Sequence, residues 1–288
     1  MDTVVSILLY GLATSGIYAL MAVGVALIYG VGRVINFAHG AFYTLGAYGT
    51  YLYVTHLGVS WWVGAVLTVL SVALLAALFD RIMIEPIRNQ EIIVWIMTFA
   101  FAFAVREGIV LLLGARPYSI PAFIPGSVTI AGQAIALQRL LIVAGSALAI
   151  GALGLFLNRT KYGRALRAVA QNRDSAYLVG ISVPDAHSAV MAISAGLAAL
   201  AGILIAPIAV VTPDMGLNPL LMAFTIVIFG GIGSLKGSLL AALVVGYVGT
   251  VVSFLINPEL VTFAALVLVF GVLIVRPTGL FGQAVERV

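Results

Sequence analysis

The sequence predicts an all-α protein, a polytopic bundle of transmembrane helices, on three observations. Its 288 residues are 63% hydrophobic and only 8% charged, where a soluble domain carries about one quarter charged residues. Mean hydropathy is +1.20, and no water-exposed surface can be built from this mixture. The apolar residues also come in long continuous runs, near the ~20 residues that cross a bilayer, without the alternation of barrel strands. Unpaired backbone groups are too costly in hydrocarbon, so each run reads as a helix.

The first run covers 4–29. Met1 and Asp2 lead straight into it with no basic stretch, so it reads as a first span and not as a cleaved signal peptide. Further spans are expected at 34–56, 61–84, 91–114, 137–157 and 187–211. Trp61 and Trp62 suit an interfacial aromatic belt. The apolar segment 219–229 is too short to cross at ~1.5 Å rise per residue. It runs into "GGIGSLKG", Gly230 to Gly237, before spans at 238–256 and 258–276. The expectation is about eight full spans plus one short Gly-terminated helix that crosses or re-enters. The stretch 115–136, with "RPYSIPAFIPG", reads as turns and not as a folded unit. Residues 1–288 then form a single membrane domain.

Basic residues set the expected orientation. Placing the loop 158–186 in the cytoplasm puts Arg33, Arg81, Arg88, Arg159, Lys161, Arg164, Arg167 and Arg173 inside. If the short segment crosses, Lys236, Arg276 and Arg287 join them, leaving Arg106, Arg116 and Arg139 of the 14 basic residues. The N-terminus is then outside and the C-terminus inside. The chain has no cysteine, which excludes disulfides and thiolate metal sites. His39, His56 and His187 show no metal-ligand spacing. A formal charge of +4, tied to helix ends, gives no reason to expect nucleic acid.

The least apolar stretch is "KYGRALRAVAQNRDSAYLVG", Lys161 to Gly180. Read as one helix over 162–174, it puts Arg164, Arg167, Gln171 and Asp174 on one stripe. Tyr162, Ala165, Leu166 and Val169 lie opposite, and Arg173 falls among the apolar positions. Ser182 is placed to cap the following helix, with Asp185 three residues on. The segment is either a solvated basic loop on anionic headgroups or a helix that docks a cytoplasmic partner. "GGIGSLKGS" is no nucleotide loop: Lys236-Gly237-Ser238 is the wrong order and no strand precedes it. Its glycines permit a helix break and close backbone approach, which makes 219–237 a candidate pore-lining element.

Four blocks, in order along nearly the whole chain, resemble the branched-chain amino acid ABC transporter permeases. They are "GIYALMAVGVALIYGVGRVINFAHGAFYTLGAY" with its "INFAHG" core, "YGRALRAVAQNRDSAYLVGI", "FGGIGSLKGSLLAALVVG" and "RPTGLFG". The likeness is greater to the permease subunit without a long soluble extension. It implies an ABC importer permease fold in a bacterial or archaeal cytoplasmic (inner) membrane. It also implies a second permease, as a heterodimer, two cytoplasmic ATPase subunits, and an extracytoplasmic solute-binding protein. ATP and Mg would sit on the ATPases, with no cofactor on this chain and no catalysis by it. The basic segment, about 158–186, becomes the coupling element, with Tyr162, Gly163, Arg164, Arg167, Asn172 and Gly180 as its residues.

Translocation path or helix packing is the choice for the rest. Asn36 and His39 sit at the entrance of the second span. Arg106 and Glu107 lie inside the fourth, where charge is costly, although snorkelling to the interface is an alternative. Neighbours on a helix diverge by ~100°, so these two are not expected to pair. Gly230, Gly231, Gly233 and Gly237 are backbone residues first. The solute expected from the resemblance is a branched-chain amino acid, or a urea, amide or aromatic acid. An ion-coupled secondary transporter is the alternative, though it calls for titratable groups near the midplane, and a membrane enzyme calls for a clustered catalytic set. Neither pattern is evident.

Overall fold

The computed structural model describes residues 2–130 and 132–282; Arg287 lies outside them. Eleven α-helices and one hairpin follow one another: α1 (Asp2–Gly32), α2 (His39–Thr50), α3 (Trp61–Phe79), α4 (Glu91–Leu113), β1 (Ser127–Ile130), β2 (Gln133–Ala136), α5 (Leu137–Arg159), α6 (Lys161–Gln171), α7 (Arg173–Leu178), α8 (Val183–Ile205), α9 (Leu217–Gly230), α10 (Leu235–Leu255) and α11 (Val261–Val275). A π-helical turn, Tyr51–His56, prolongs α2, and another, Asp80–Ile84, prolongs α3.

Seven helices of the described residues are long and apolar enough to cross a membrane, with Leu217–Gly230 as a shorter apolar helix. The expected second span accounts for the difference from eight. It begins at His39 rather than near 34, because residues 33–38 form no helix and Arg33 takes a φ of 52°. The helix after the basic segment starts at its Ser182 cap and ends at Ile205, earlier than the apolar run suggests. Pro207 follows closely and has no N–H with which to continue the helical hydrogen bonding. The stretch 115–136 holds more than turns: β1 and β2 pair antiparallel, Ser127 opposite Ala136. Tyr118 also bridges to Val211 through both backbone groups.

α1 is hydrophobic all round and is the most enclosed span. It packs against α5, α8, α9 and α10. Small residues allow this approach: Ser15 lies against Gly246, and Gly11 under the Tyr247 ring, so α10 runs antiparallel to α1. α3, α4, α5 and α11 turn large apolar side chains outward, including Leu70, Phe103, Leu148 and Phe270. A burial ring of this kind is inverted relative to a soluble bundle and suits a hydrocarbon surround.

Candidate translocation and coupling site

One end of the bundle gathers the basic residues. Arg81 on the α3 extension pairs with Asp185 of α8 at 2.9 Å. Asp80, 1% exposed, accepts from Arg88 Nη2 at 2.8 Å and from Ser188 Oγ at 2.7 Å. Gly233 lies near Gly30 of α1, and Leu280 and Phe281 donate their N–H groups to the carbonyls of Phe229 and Gly230. The Gly-rich block and the terminal block therefore meet at the same end as α6 and α7. Lys236 and Arg276 join the other basic residues there, while Arg106, Arg116 and Arg139 lie toward the opposite end.

The basic segment is two helices, not one over 162–174. Asn172 has extended backbone (φ −153°, ψ 113°), ends α6, and caps α7 by accepting from Ser175 N–H at 2.9 Å. Thr160 caps α6 through Gly163 N–H at 2.9 Å. Gly163 is pressed so closely on the Phe156 carbonyl that a Cβ would collide. Leu166, Val169 and Ala176 are buried, whereas Arg164 and Arg167 are exposed, and Arg167 donates to Asn158 Oδ1 at 2.9 Å. Tyr162, expected on the apolar stripe, is 79% exposed; Tyr177, Leu178 and Val179 are equally open. Gly180 turns the chain with φ 81°, a conformation that suits glycine. Ser182 accepts from Asp185 N–H at 3.4 Å as expected of a cap, but the Asp185 carboxylate goes to Arg81 rather than closing a capping box.

Deeper in the bundle the backbone is broken twice. Asn36, 4% exposed, donates to Met191 Sδ at 3.1 Å and accepts from Ala38 N–H at 2.9 Å. His39 is fully buried, its Nε2 3.2 Å from the Met21 carbonyl and its ring against Gly24. Gly24 is eight residues back from Gly32, about 12 Å along the helix, so α2 starts well inside the bundle. There Gly40 meets Gly216, with no room for a Cβ on either, and Gly216 precedes α9. The short helix thus starts inside the bundle, and residues 206–216 between α8 and α9 form no regular helix. Such backbone is tolerated at membrane depth only inside protein or beside a water-filled path. At the basic end, Gly230 and Gly237 press together across the turn between α9 and α10; Gly231 (φ 101°) abuts Gly282, and Gly233 has φ 82°.

Arg106 corrects the helical-geometry expectation. Its long side chain reaches both Glu107 and Asp214. All three side chains are 40% or more exposed. The sequence does not mark Asp214 as a partner of Arg106, because it lies 108 residues away. The only signal was its place in "VTPDMG", a turn between two apolar runs.

A many-spanning helical bundle with two interrupted helices and a basic amphipathic segment at one end is the architecture of a polytopic membrane protein. The family described as "Branched-chain amino acid transport system / permease component" matches residues 7–275, and the chain belongs to it. It is 30% identical to the high-affinity branched-chain amino acid transport system permease protein LivH of Salmonella typhimurium, over 96% of each chain. It is 29% identical to the permease protein BraD of Pseudomonas aeruginosa, over 98% of this chain and 97% of that one. Among solved structures it resembles PsaBC from Streptococcus pneumoniae in complex with Fab, with a TM-score of 0.56, 15% identity, and 94% and 92% of the two chains covered. The protein is a multi-pass membrane protein and a permease subunit of an ABC importer. Permeases of such importers work with ATPase and other subunits.

Proposed function

We propose that this chain forms part of the import path for branched-chain amino acids or a related small solute. It would work beside a second permease, two ATPase subunits and an extracytoplasmic binding protein. The observation that carries the reading is the Lys161–Gly180 segment. Tyr162, Tyr177, Leu178 and Val179 stand exposed, as do Arg164 and Arg167, on or just after two short helices anchored by Gly163, Leu166 and Val169. Exposed apolar residues rimmed by charge mark a protein contact more than a solvated loop. The occupant proposed is an ATPase subunit, which would bind ATP and Mg and do the hydrolysis, leaving this chain without catalysis or cofactor.

The basic end would then face the cytoplasm, in keeping with the bias of basic residues toward that side, in a bacterial or archaeal inner membrane. Asn36 and His39 act as packing for the break before α2. The contact of Gly40 with Gly216 closes the bundle at that depth. Arg106, Glu107 and Asp214 are the charged group best placed to meet a solute entering from the opposite end.

The test is co-purification with the ATPase and permease subunits encoded beside this chain, followed by uptake in proteoliposomes. Arg164→Glu with Arg167→Glu is expected to detach the ATPase or to abolish ATP-driven uptake. Uptake that follows an ion gradient with no ATPase bound would sink this reading in favour of a secondary transporter.

A further inference from the structure

Arg173 is the one charge of the basic segment that the amphipathic pattern leaves out of place, and the structure gives it distant partners. Its Nη2 donates to the Val31 carbonyl at 3.1 Å and to the Gly32 carbonyl, the last turn of α1. Carbonyls at a helix C-terminus lack intrahelical donors and carry the negative end of the dipole. A guanidinium is well matched to them. Burial, with Arg88 and Arg33 nearby, pushes the Arg173 pKa below the ordinary arginine value, and Asp174 acts the other way. The side chain is held rather than free: Asn172 caps α7, and Ala176 one turn on is buried.

The clamp sits at a junction. Immediately after Gly32 the chain turns at Arg33 and enters the buried stretch that places Asn36, His39 and Gly40. Gly40 touches Gly216, the residue before α9. A small cavity beside the clamp is lined by Gly32, Asp80, Arg88 and His187, so the clamp also borders the Asp80–Arg88 pair of the α3–α4 turn, whose Asp80 accepts from Ser188 of α8. The guanidinium thus joins the α6–α7 segment to the end of α1 and, through it, to both helix breaks.

We propose that Arg173 is a positioning residue of the transport cycle: it carries displacement of the α6–α7 segment to α1 and the buried 34–40 stretch. The proposal rests on the reading of α6–α7 as the ATPase-coupling segment.

The assembled complex in proteoliposomes is the test, with solute taken up per ATP hydrolysed as the readout. Arg173→Met keeps the stem and removes the donors; Arg173→Lys keeps one charged donor, and a single nitrogen makes both contacts in the structure. Arg173→Met is expected to assemble and to hydrolyse ATP, with uptake per ATP down roughly tenfold. Arg173→Lys should regain most of the loss. A ratio within about twofold of wild type in Arg173→Met overturns the proposal. Should Arg173→Met fail to assemble, Arg173→Gln is read the same way. If neither assembles while the wild type does, Arg173 serves folding alone and the proposal is overturned. A wild-type chain that binds no ATPase is a different failure, that of the coupling reading itself.

Discussion

Truncating Asp80 should be the most costly single change at the basic end. Its carboxylate is 1% exposed and its partner Arg88 is 11% exposed, with 2.8 Å between them. The second oxygen accepts from Ser188 on α8 at 2.7 Å. Removing one member of a buried ion pair costs about 3–5 kcal/mol, because the other charge is left uncompensated. Arg88 keeps Glu85 at 2.7 Å, a residue 28% exposed, which places Asp80→Ala near the lower end. About 3 kcal/mol is a factor of roughly 150 in the unfolding equilibrium. Asp80→Asn retains an acceptor for Ser188 and should cost about 2 kcal/mol. The assay is unfolding of the purified chain in mixed micelles as the denaturing detergent fraction rises, followed by the fluorescence of Trp61, Trp62 and Trp95. Combining Asp80→Ala with Ser188→Ala should show a coupling of at least ~0.5 kcal/mol, as expected for residues in one network. An Asp80→Ala midpoint within ~0.5 kcal/mol of wild type, the range of an ordinary surface change, or strict additivity with Ser188→Ala, would refute the reasoning.

Gly202→Leu should prevent assembly of a folded chain, since even a Cβ there would collide with the Tyr43 carbonyl; detergent-extracted monomer on size exclusion reads this directly. Gly231→Ala should cost more than about 1 kcal/mol, because φ is 101° and the new methyl meets Gly282; the same unfolding titration measures it. Asn172→Ala should cost about 1 kcal/mol at the α7 cap and speed amide exchange over 173–178, leaving α6 protected. Arg106→Asp should reduce uptake while leaving the unfolding midpoint in place, and adding Asp214→Arg should restore uptake; recovery that fails to appear would remove the pair from the path.

The apolar periodicity carried most of the fold, because each span is defined by a property of its own residues. Caps at Ser182 and the break after Gly230 were legible for the same reason: both are local. What stayed hidden depended on distant partners. Nothing in "INFAHG" announces that the helix starts at His39, since that boundary is set by Thr98 Oγ1 accepting from Phe37 N–H at 3.2 Å and by Met191 meeting Asn36. The hairpin 127–136 escaped because its apolar and polar residues are too few to show a period. The spacing of Arg106 and Glu107 says nothing of Asp214, which the long Arg106 side chain also reaches from 108 residues away. The apolar exposure at Tyr177, Leu178 and Val179 was also invisible, because an amphipathic stripe says which face differs and not which face is covered.

These differences bear on how such a chain can move. The nearest approaches among α1, α2, α8, α9 and α10 include glycine against backbone, as at Gly46 with Ala199 and Gly216 with Gly40. Surfaces of this kind interdigitate little, so sliding them costs fewer packed side-chain contacts than separating large residues does. The basic end is built differently, from Arg81 to Asp185, Asp80 to Arg88 and Ser188, and Arg173 to α1. Charge-assisted bonds have defined lengths and directions, and here they join α1, the α3–α4 turn, α7 and α8. The charge-assisted links thus gather at the end where α6 and α7 sit, while a glycine-on-backbone contact, Gly40 with Gly216, lies beside the helix breaks inside the bundle.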